Sequence, residues 1–351
     1  LSQGFLRVPD LPSFAAAGAA ALPDAELLAG IAAYRRHPWA RAMEDPPVIW
    51  QEGESRLLDY GPPEGRPVVF VPSLVNRAYV LDLLPEHSML RFLAQGRVRP
   101  LLLDWGFPGE VERGFTMTDY VAGRLERALL SVGERVTLAG YCMGGLMAVA
   151  AAQRRPDLVE RLVLIATPWD FHAADPAAAS QLAALLPVLE PALTMAGALP
   201  IDALQMLFAL LDPCSVGAKY RDFGRQDQAG ARARMFVAVE DWLADGVPLA
   251  APVARETLAG WYGANTPAQG RWRIAGWPVQ PRTLRLPCWI ATPGRDRIVP
   301  PQSALALAGC IEGAVLHAPR AGHVGMVAGS GARDALWQPL LDWLNTSEDE
   351  L

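Results

Sequence analysis

The apolar run Val136 to Ala139 gives way to Gly140–Tyr141–Cys142–Met143–Gly144–Gly145 and then to a helix-forming stretch, Leu146 to Arg154. This segment restricts the fold more tightly than any other. Gly-x-Nuc-x-Gly between a strand and a helix requires a sharp turn that lifts the middle side chain onto an exposed, strained backbone. The flanking positions must be Gly, because a β-carbon there would strike the neighbouring strand or helix. The nucleophile slot holds a cysteine. A helix N-terminus beneath it favours the thiolate and any oxyanion that develops nearby.

The rest of the chain supplies the sheet that such a turn needs. Val48 to Gln51 and Arg56 to Tyr60 read as an antiparallel pair. Pro67 to Val71, Pro100 to Asp104, Val136 to Ala139, Leu162 to Ala166 and Cys288 to Ala291 read as short buried strands, and Ala314 to His317 as the last one. Helices are expected at Tyr79 to Leu84, Ser88 to Gln95, Thr118 to Val132, Ser303 to Ala308 and Ala335 to Leu344. Strand and helix in alternation predict an α/β fold with a mostly parallel central sheet and helices on both faces.

The alternation stops between Phe171 and Leu286, which reads as helix and loop. The expected organisation is a lead-in over 1–47, a core over 48–170 and 287–351, and a mainly helical cap insertion over 171–286. The Ala-rich lead-in is expected to carry helix within Ala15 to Ala33 and to pack loosely on the core. Leu182 to Leu211 is apolar enough to raise a membrane span, but Pro187, Pro191, Pro200, Glu190 and Asp202 interrupt it, so short amphipathic helices are expected instead.

Composition excludes several classes of function. With 51% hydrophobic and 19% charged residues the chain is globular. A net charge of −6 argues against nucleic acid. Cys142, Cys214, Cys288 and Cys310 form no CxxC and read as reduced thiols, and no secretory signal pattern is present, so a cytoplasmic location is expected. The five histidines are scattered without HExxH spacing, so no metal site is expected.

Cys142, Asp296 and His323 each lie just past an expected strand end, in the chain order of an α/β-hydrolase triad. His323 takes the thiol proton or pairs with the thiolate, and Asp296 holds the imidazole tautomer. Asp104 and Asp170 are the competing acids, and His317 is the competing base. His37, His87 and His172 are assigned to packing or surface. Backbone N–H groups of Met143 and of the loop at Leu74 and Val75 are the expected oxyanion hole. A thiol attacking a thioester forms another thioester of similar energy, so the acyl group stays activated for transfer to an alcohol. That chemistry suits an acyltransferase and also allows a cysteine hydrolase.

With these residues assembled, the chain resembles the polyhydroxyalkanoate synthases, specifically the short class, over nearly all of its length after about residue 45. The family's Gly-x-Cys-x-Gly-Gly box stands at Gly140 to Gly145, and its Pro-Pro-Trp-Ile-Asn-Lys stretch at PSLVNRAYVLDL, Pro72 to Leu83. Further matches are Asp104–Trp105–Gly106, Pro168 to Phe171, Glu240–Asp241–Trp242 through Asp245, Asp296 to Pro301, and Gly322–His323–Val324–Gly325. Ser73 and Leu74 depart from the family's Pro and Trp. The resemblance implies an α/β-hydrolase fold and polymerisation of (R)-3-hydroxyacyl-CoA with release of coenzyme A. Cys142 would carry the growing chain, His323 would activate the thiol, and Asp296 would assist. It implies no cofactor beyond the coenzyme A thioester substrate. The expected partners are that substrate, the polyester chain, and a second synthase subunit or a second copy, at a polymer granule. A polyester depolymerase, an acyl-CoA thioesterase and a non-catalytic granule-associated protein are the alternatives.

Overall fold

The structure, a computed structural model, describes residues 24–211 and 215–347. An eight-stranded sheet organises it. Its strands are β1 (Val48–Glu52), β2 (Ser55–Asp59), β3 (Arg66–Val71), β4 (Val98–Asp104), β5 (Val136–Tyr141), β6 (Val159–Ile165), β7 (Cys288–Ala291) and β8 (Val315–His317). The order across the sheet is β1-β2-β4-β3-β5-β6-β7-β8. β1, β2 and β4 pair antiparallel, and every other pairing is parallel.

The central strands bury both faces with a period of two. Val69, Val71, Leu101, Leu103, Leu162 and Leu164 join one apolar layer, together with the helix Met143–Arg154. Val68, Phe70, Leu102, Val163 and Ile165 join the other, with Leu90 and Leu93 of the helix Met89–Ala94 and Leu336 and Leu340 near the C-terminus. Successive side chains of a strand point to opposite faces, so a strand covered on both sides reads as an unbroken apolar run. These runs were therefore visible in sequence, and the observed strands begin or end within a few residues of the expected ones.

Three elements differ from expectation. Tyr79 to Leu84 is not an α-helix: a 3-10 turn, Ala78–Leu81, leads into Asp82–Leu84, which pairs with His87–Ser88. The buried Asp82 carboxylate decides the conformation here, held by Arg91 Nε at 2.8 Å and the Tyr60 hydroxyl at 3.1 Å. The lead-in carries a helix at Ala25–Arg36, N-capped by Asp24, whose side chain accepts from the Leu27 N–H at 2.8 Å. It packs on the helix Ser215–Gly224 and not loosely on the sheet, burying Leu27 and Tyr34 against Tyr220 and Phe223. The expected helix before residue 24 lies outside the described residues. His323 opens a short helix, His323–Ala328, that is not among the expected helices.

Residues 171–286 add no strand to the large sheet among the described residues. They form mainly helices, including Pro176–Ala183, Leu186–Ala196, Ile201–Leu211 and Ala231–Ala244, and return to the core at β7. Among the described residues no single helix is long and apolar enough to cross a membrane. The pair Pro176–Ala183 and Leu186–Ala196 reaches that length only when joined across a 41° bend.

Candidate active site

Cys142 sits between β5 and the helix Met143–Arg154 with φ 56° and ψ −126°. For a residue bearing a β-carbon this is a strained backbone, of the kind that persists where its surroundings over-determine it. The surroundings here are the glycines. A β-carbon on Gly144 would lie 2.0 Å from the Val71 carbonyl oxygen, and one on Gly145 would lie 1.8 Å from Thr167 Oγ1. The Cys142 N–H donates to the Ile165 carbonyl at 2.9 Å, tying the turn to the end of β6. The thiol is half-buried and takes part in no disulfide.

The structure brings Asp296 and His323 together. Asp296 Oδ2 lies 2.6 Å from His323 Nδ1, and both side chains are buried. The other carboxylate oxygen, Oδ1, accepts from the N–H groups of Ile298 at 2.9 Å and Val299 at 2.8 Å, which fixes its orientation. Burial works against a charged His323. The negative charges of Cys142 and Asp296, and the ring's hydrogen bonds to both, outweigh it and push the imidazole pKa up to about 10. One ring nitrogen held by Asp296, with the Cys142 thiol close enough to act on the ring's charge, is the order of a nucleophile–base–acid relay.

The competing groups are engaged elsewhere. Asp104 binds Arg56 at 2.7 Å and accepts from the Gly106 N–H at 3.1 Å. Asp170 accepts from Asn265 Nδ2 at 2.8 Å and the His172 N–H at 2.9 Å. His317 stacks on Trp289 and places Nε2 2.6 Å from the Ala335 carbonyl. His37 and His172 contact backbone carbonyls, and His87 packs on Trp337. Cys288 is buried, which pushes its thiol up to about 12. Cys214 lies outside the described residues.

Around the expected oxyanion hole, Met143 opens its helix, so its N–H has no intrahelical acceptor. The Leu74 N–H has no acceptor among the described residues, whereas the Val75 N–H donates to Ser73 Oγ at 3.4 Å. Sequence reasoning missed several neighbours. Tyr141 stacks on the His323 ring at 5.2 Å and donates its hydroxyl to the His323 carbonyl at 3.3 Å. Tyr262 and Phe171, in contact at 5.0 Å, also line the space over Cys142. Tyr141 stood inside the recognised motif. Tyr262 had no local signal, because its place depends on how the helices fold back.

Two cavities open on Cys142. One, of about 170 Å³, is walled by Leu204, Leu207, Phe208, Leu258 and Trp261. The other, of about 200 Å³, also touches His323 and runs past Val80, Trp242 and Arg77. Ser73 and Val75 border both.

A sheet of this order, with a nucleophile turn after its fifth strand and a histidine–aspartate pair beyond its last two strands, defines a hydrolase-type scaffold. The chain matches the Alpha/beta hydrolase family over residues 68–334 and belongs to it. More particularly, it is similar in sequence to subunits named Poly(3-hydroxyalkanoate) polymerase subunit PhaC. It is 29% identical to that of Haloferax mediterranei, covering 84% of this chain and 63% of the relative. It is 27% identical to that of Allochromatium vinosum, covering 85% and 87%, and 29% identical to that of Synechocystis, covering 85% and 83%. Among solved structures, a carboxylesterase of Nitrososphaera gargenis aligns with a TM-score of 0.55 at 12% identity, covering 85% of this chain and 97% of that one. A thermophilic esterase of Thermogutta terrifontis aligns at 0.52 and 18% identity, covering 87% and 98%. These two show the shared fold.

Proposed function

We propose that the protein is an acyltransferase that extends a polyhydroxyalkanoate from (R)-3-hydroxyacyl-CoA through an acyl-Cys142 intermediate. The observation that carries this reading is a thiol on a nucleophile turn that shares a cavity with a buried, hydrogen-bonded His323–Asp296 pair and borders apolar walls. Similarity to polymerase subunits over most of the chain supports it.

In the first half-reaction the Cys142 sulfur attacks the thioester carbonyl. The Met143 and Leu74 N–H groups stabilise the tetrahedral oxyanion. Coenzyme A leaves as the thiol, taking its proton from His323. In the second, His323 removes the proton from the hydroxyl of a monomer or chain end, whose oxygen attacks the acyl-cysteine and displaces the Cys142 sulfur. Asp296 orients the imidazole and stabilises its charged form in both halves. The helices of 171–286 act as a cap, and their apolar walls exclude water so that transfer outruns hydrolysis. The setting that fits is a cytoplasmic polymer granule, with a second copy or a second synthase subunit as partner.

The test is to incubate the purified protein with 3-hydroxybutyryl-CoA and follow free coenzyme A together with polymer. Both are expected. Coenzyme A release with only free 3-hydroxy acid would overturn the polymerase reading and support a second one, hydrolysis. The Ser73 hydroxyl favours that alternative, because it borders both cavities beside the thiol, where the resembled family has proline, and can hold a water there.

A further inference from the structure

Arg77 stands out among the cations near the site. It lines both the cavity of about 200 Å³ that reaches Cys142 and a neighbouring polar cavity of about 260 Å³. Among the described residues it has no carboxylate partner, and its Nε is buried without a hydrogen-bond acceptor. A buried donor without an acceptor is costly and calls for an explanation. The other arginines of the polar cavity, Arg56 and Arg41, are paired with carboxylates. Arg56 holds Asp104 at 2.7 Å and Asp45 at 3.4 Å. Arg41 lies 3.8 Å from Asp82. Among the described residues, Arg77 is therefore the one arginine on either cavity wall with no carboxylate within ion-pair distance.

Its backbone is also held in place. The Trp242 indole N–H donates to the Arg77 carbonyl at 2.7 Å, the Val247 N–H donates to the Val75 carbonyl at 3.1 Å, and Asn76 bridges to Gly246. The guanidinium carbon stands 4.9 Å from the centre of the Phe107 ring, an ordinary cation–π distance. A guanidinium without a carboxylate partner that lines both a mainly apolar cavity reaching Cys142 and a polar cavity beside it matches the profile of a molecule with an uncharged arm and a polyphosphate head. In a chain of net charge −6, a polyanionic substrate needs such a local cation.

We propose that Arg77 binds the diphosphate of the coenzyme A portion of an acyl-CoA donor, with the pantetheine arm lying in the cavity between Arg77 and Cys142. This rests on the acyl-CoA reading above and adds a donor-recognition site to it. Arg77 touches no reacting atom, so its contribution is to binding.

The test compares 3-hydroxybutyryl-CoA with 3-hydroxybutyryl-pantetheine, which lacks the phosphates, in wild type, Arg77→Ala and Arg77→Lys. For Arg77→Ala, KM for the CoA thioester is expected to rise about tenfold with kcat within about twofold, and KM for the pantetheine thioester to stay put. Arg77→Lys should recover part of the loss, since it restores the charge without the planar fork. An equal rise for both substrates, or no rise for either, overturns the proposal. Calorimetric binding of free coenzyme A and of pantetheine needs no turnover. Wild type should bind coenzyme A more tightly, and Arg77→Ala should remove the difference. Absence of that difference in wild type overturns the Arg77 site even if the enzyme turns over. Its presence without polymer formation leaves the site standing and removes the polymerase reading alone.

Discussion

The helix Met143–Arg154 and the helix Leu186–Ala196 are both rich in apolar residues, yet they stand in different surroundings. The first is inserted against the central sheet, and all of its residues from Met143 through Ala152 are buried. The second lies in the excursion between β6 and β7, and only Leu193 is buried, while Val188 is 75% and Met195 88% exposed. The sheet-backed helix sets the angle at which Cys142 leaves the backbone, and close packing gives it no alternative position. The excursion supplies walls around the thiol, through Leu182, Leu204 and Phe208, from elements with far more exposed surface. The groups that the proposed reaction uses thus include one mounted on the fully packed part of the molecule, while the cavity walls come from its more exposed part.

The sharpest way to break this contrast is at the thiol. Cys142→Ala should lower turnover by about 10⁴-fold or more with the unfolding midpoint little changed, as steady-state kinetics and thermal denaturation would show; retained turnover would remove the site assignment. Asp296→Asn should cost about 10²- to 10³-fold in kcat, because the amide no longer stabilises the charged imidazole that it orients.

The His323 pair also gives a signed pH dependence. Its imidazole rises from an ordinary 6.5 to about 10 in the folded protein. The stability it contributes is therefore complete below about pH 6.5 and is lost as pH rises through about 10. The stability of wild type relative to His323→Gln, measured by urea unfolding, should shrink across that interval; a gap that widened would reverse the assignment of charge.

Smaller effects separate the two helices themselves. Gly144→Ala drives a β-carbon to 2.0 Å from the Val71 carbonyl oxygen and should cost about 2–3 kcal/mol in urea unfolding. Met195→Ser, on the exposed helix, should stay within about 0.5 kcal/mol and leave kcat unchanged. A large loss there would mean that the excursion is packed as tightly as the core.

Much of the fold was legible because its strands are buried on both faces. Val68 to Val71, Leu101 to Leu103 and Leu162 to Ile165 read as apolar runs for that reason. Cys142 was legible because its turn demands glycines at fixed spacing, and His323 and Asp296 because each follows a strand end. Tyr79 to Leu84 was misread because a short apolar stretch suits several local conformations, and a buried Asp82 with distant partners decided among them. The place of the helix Ala25–Arg36 was misread because its partner, Ser215–Gly224, lies far along the chain. Gly30 meets that helix closely: a β-carbon there would lie 1.9 Å from the Tyr220 carbonyl oxygen.

By itself the sequence determined the parallel sheet, the nucleophile turn and the order of cysteine, aspartate and histidine, because each rests on local backbone sterics or on a period within one element. Only the tertiary structure decided which acid meets His323, which arginine on the cavity wall has no carboxylate partner, and which aromatic rings line the space beside the thiol. Those outcomes depend on contacts between residues far apart in the chain, where burial and pairing with distant partners outweigh any local preference.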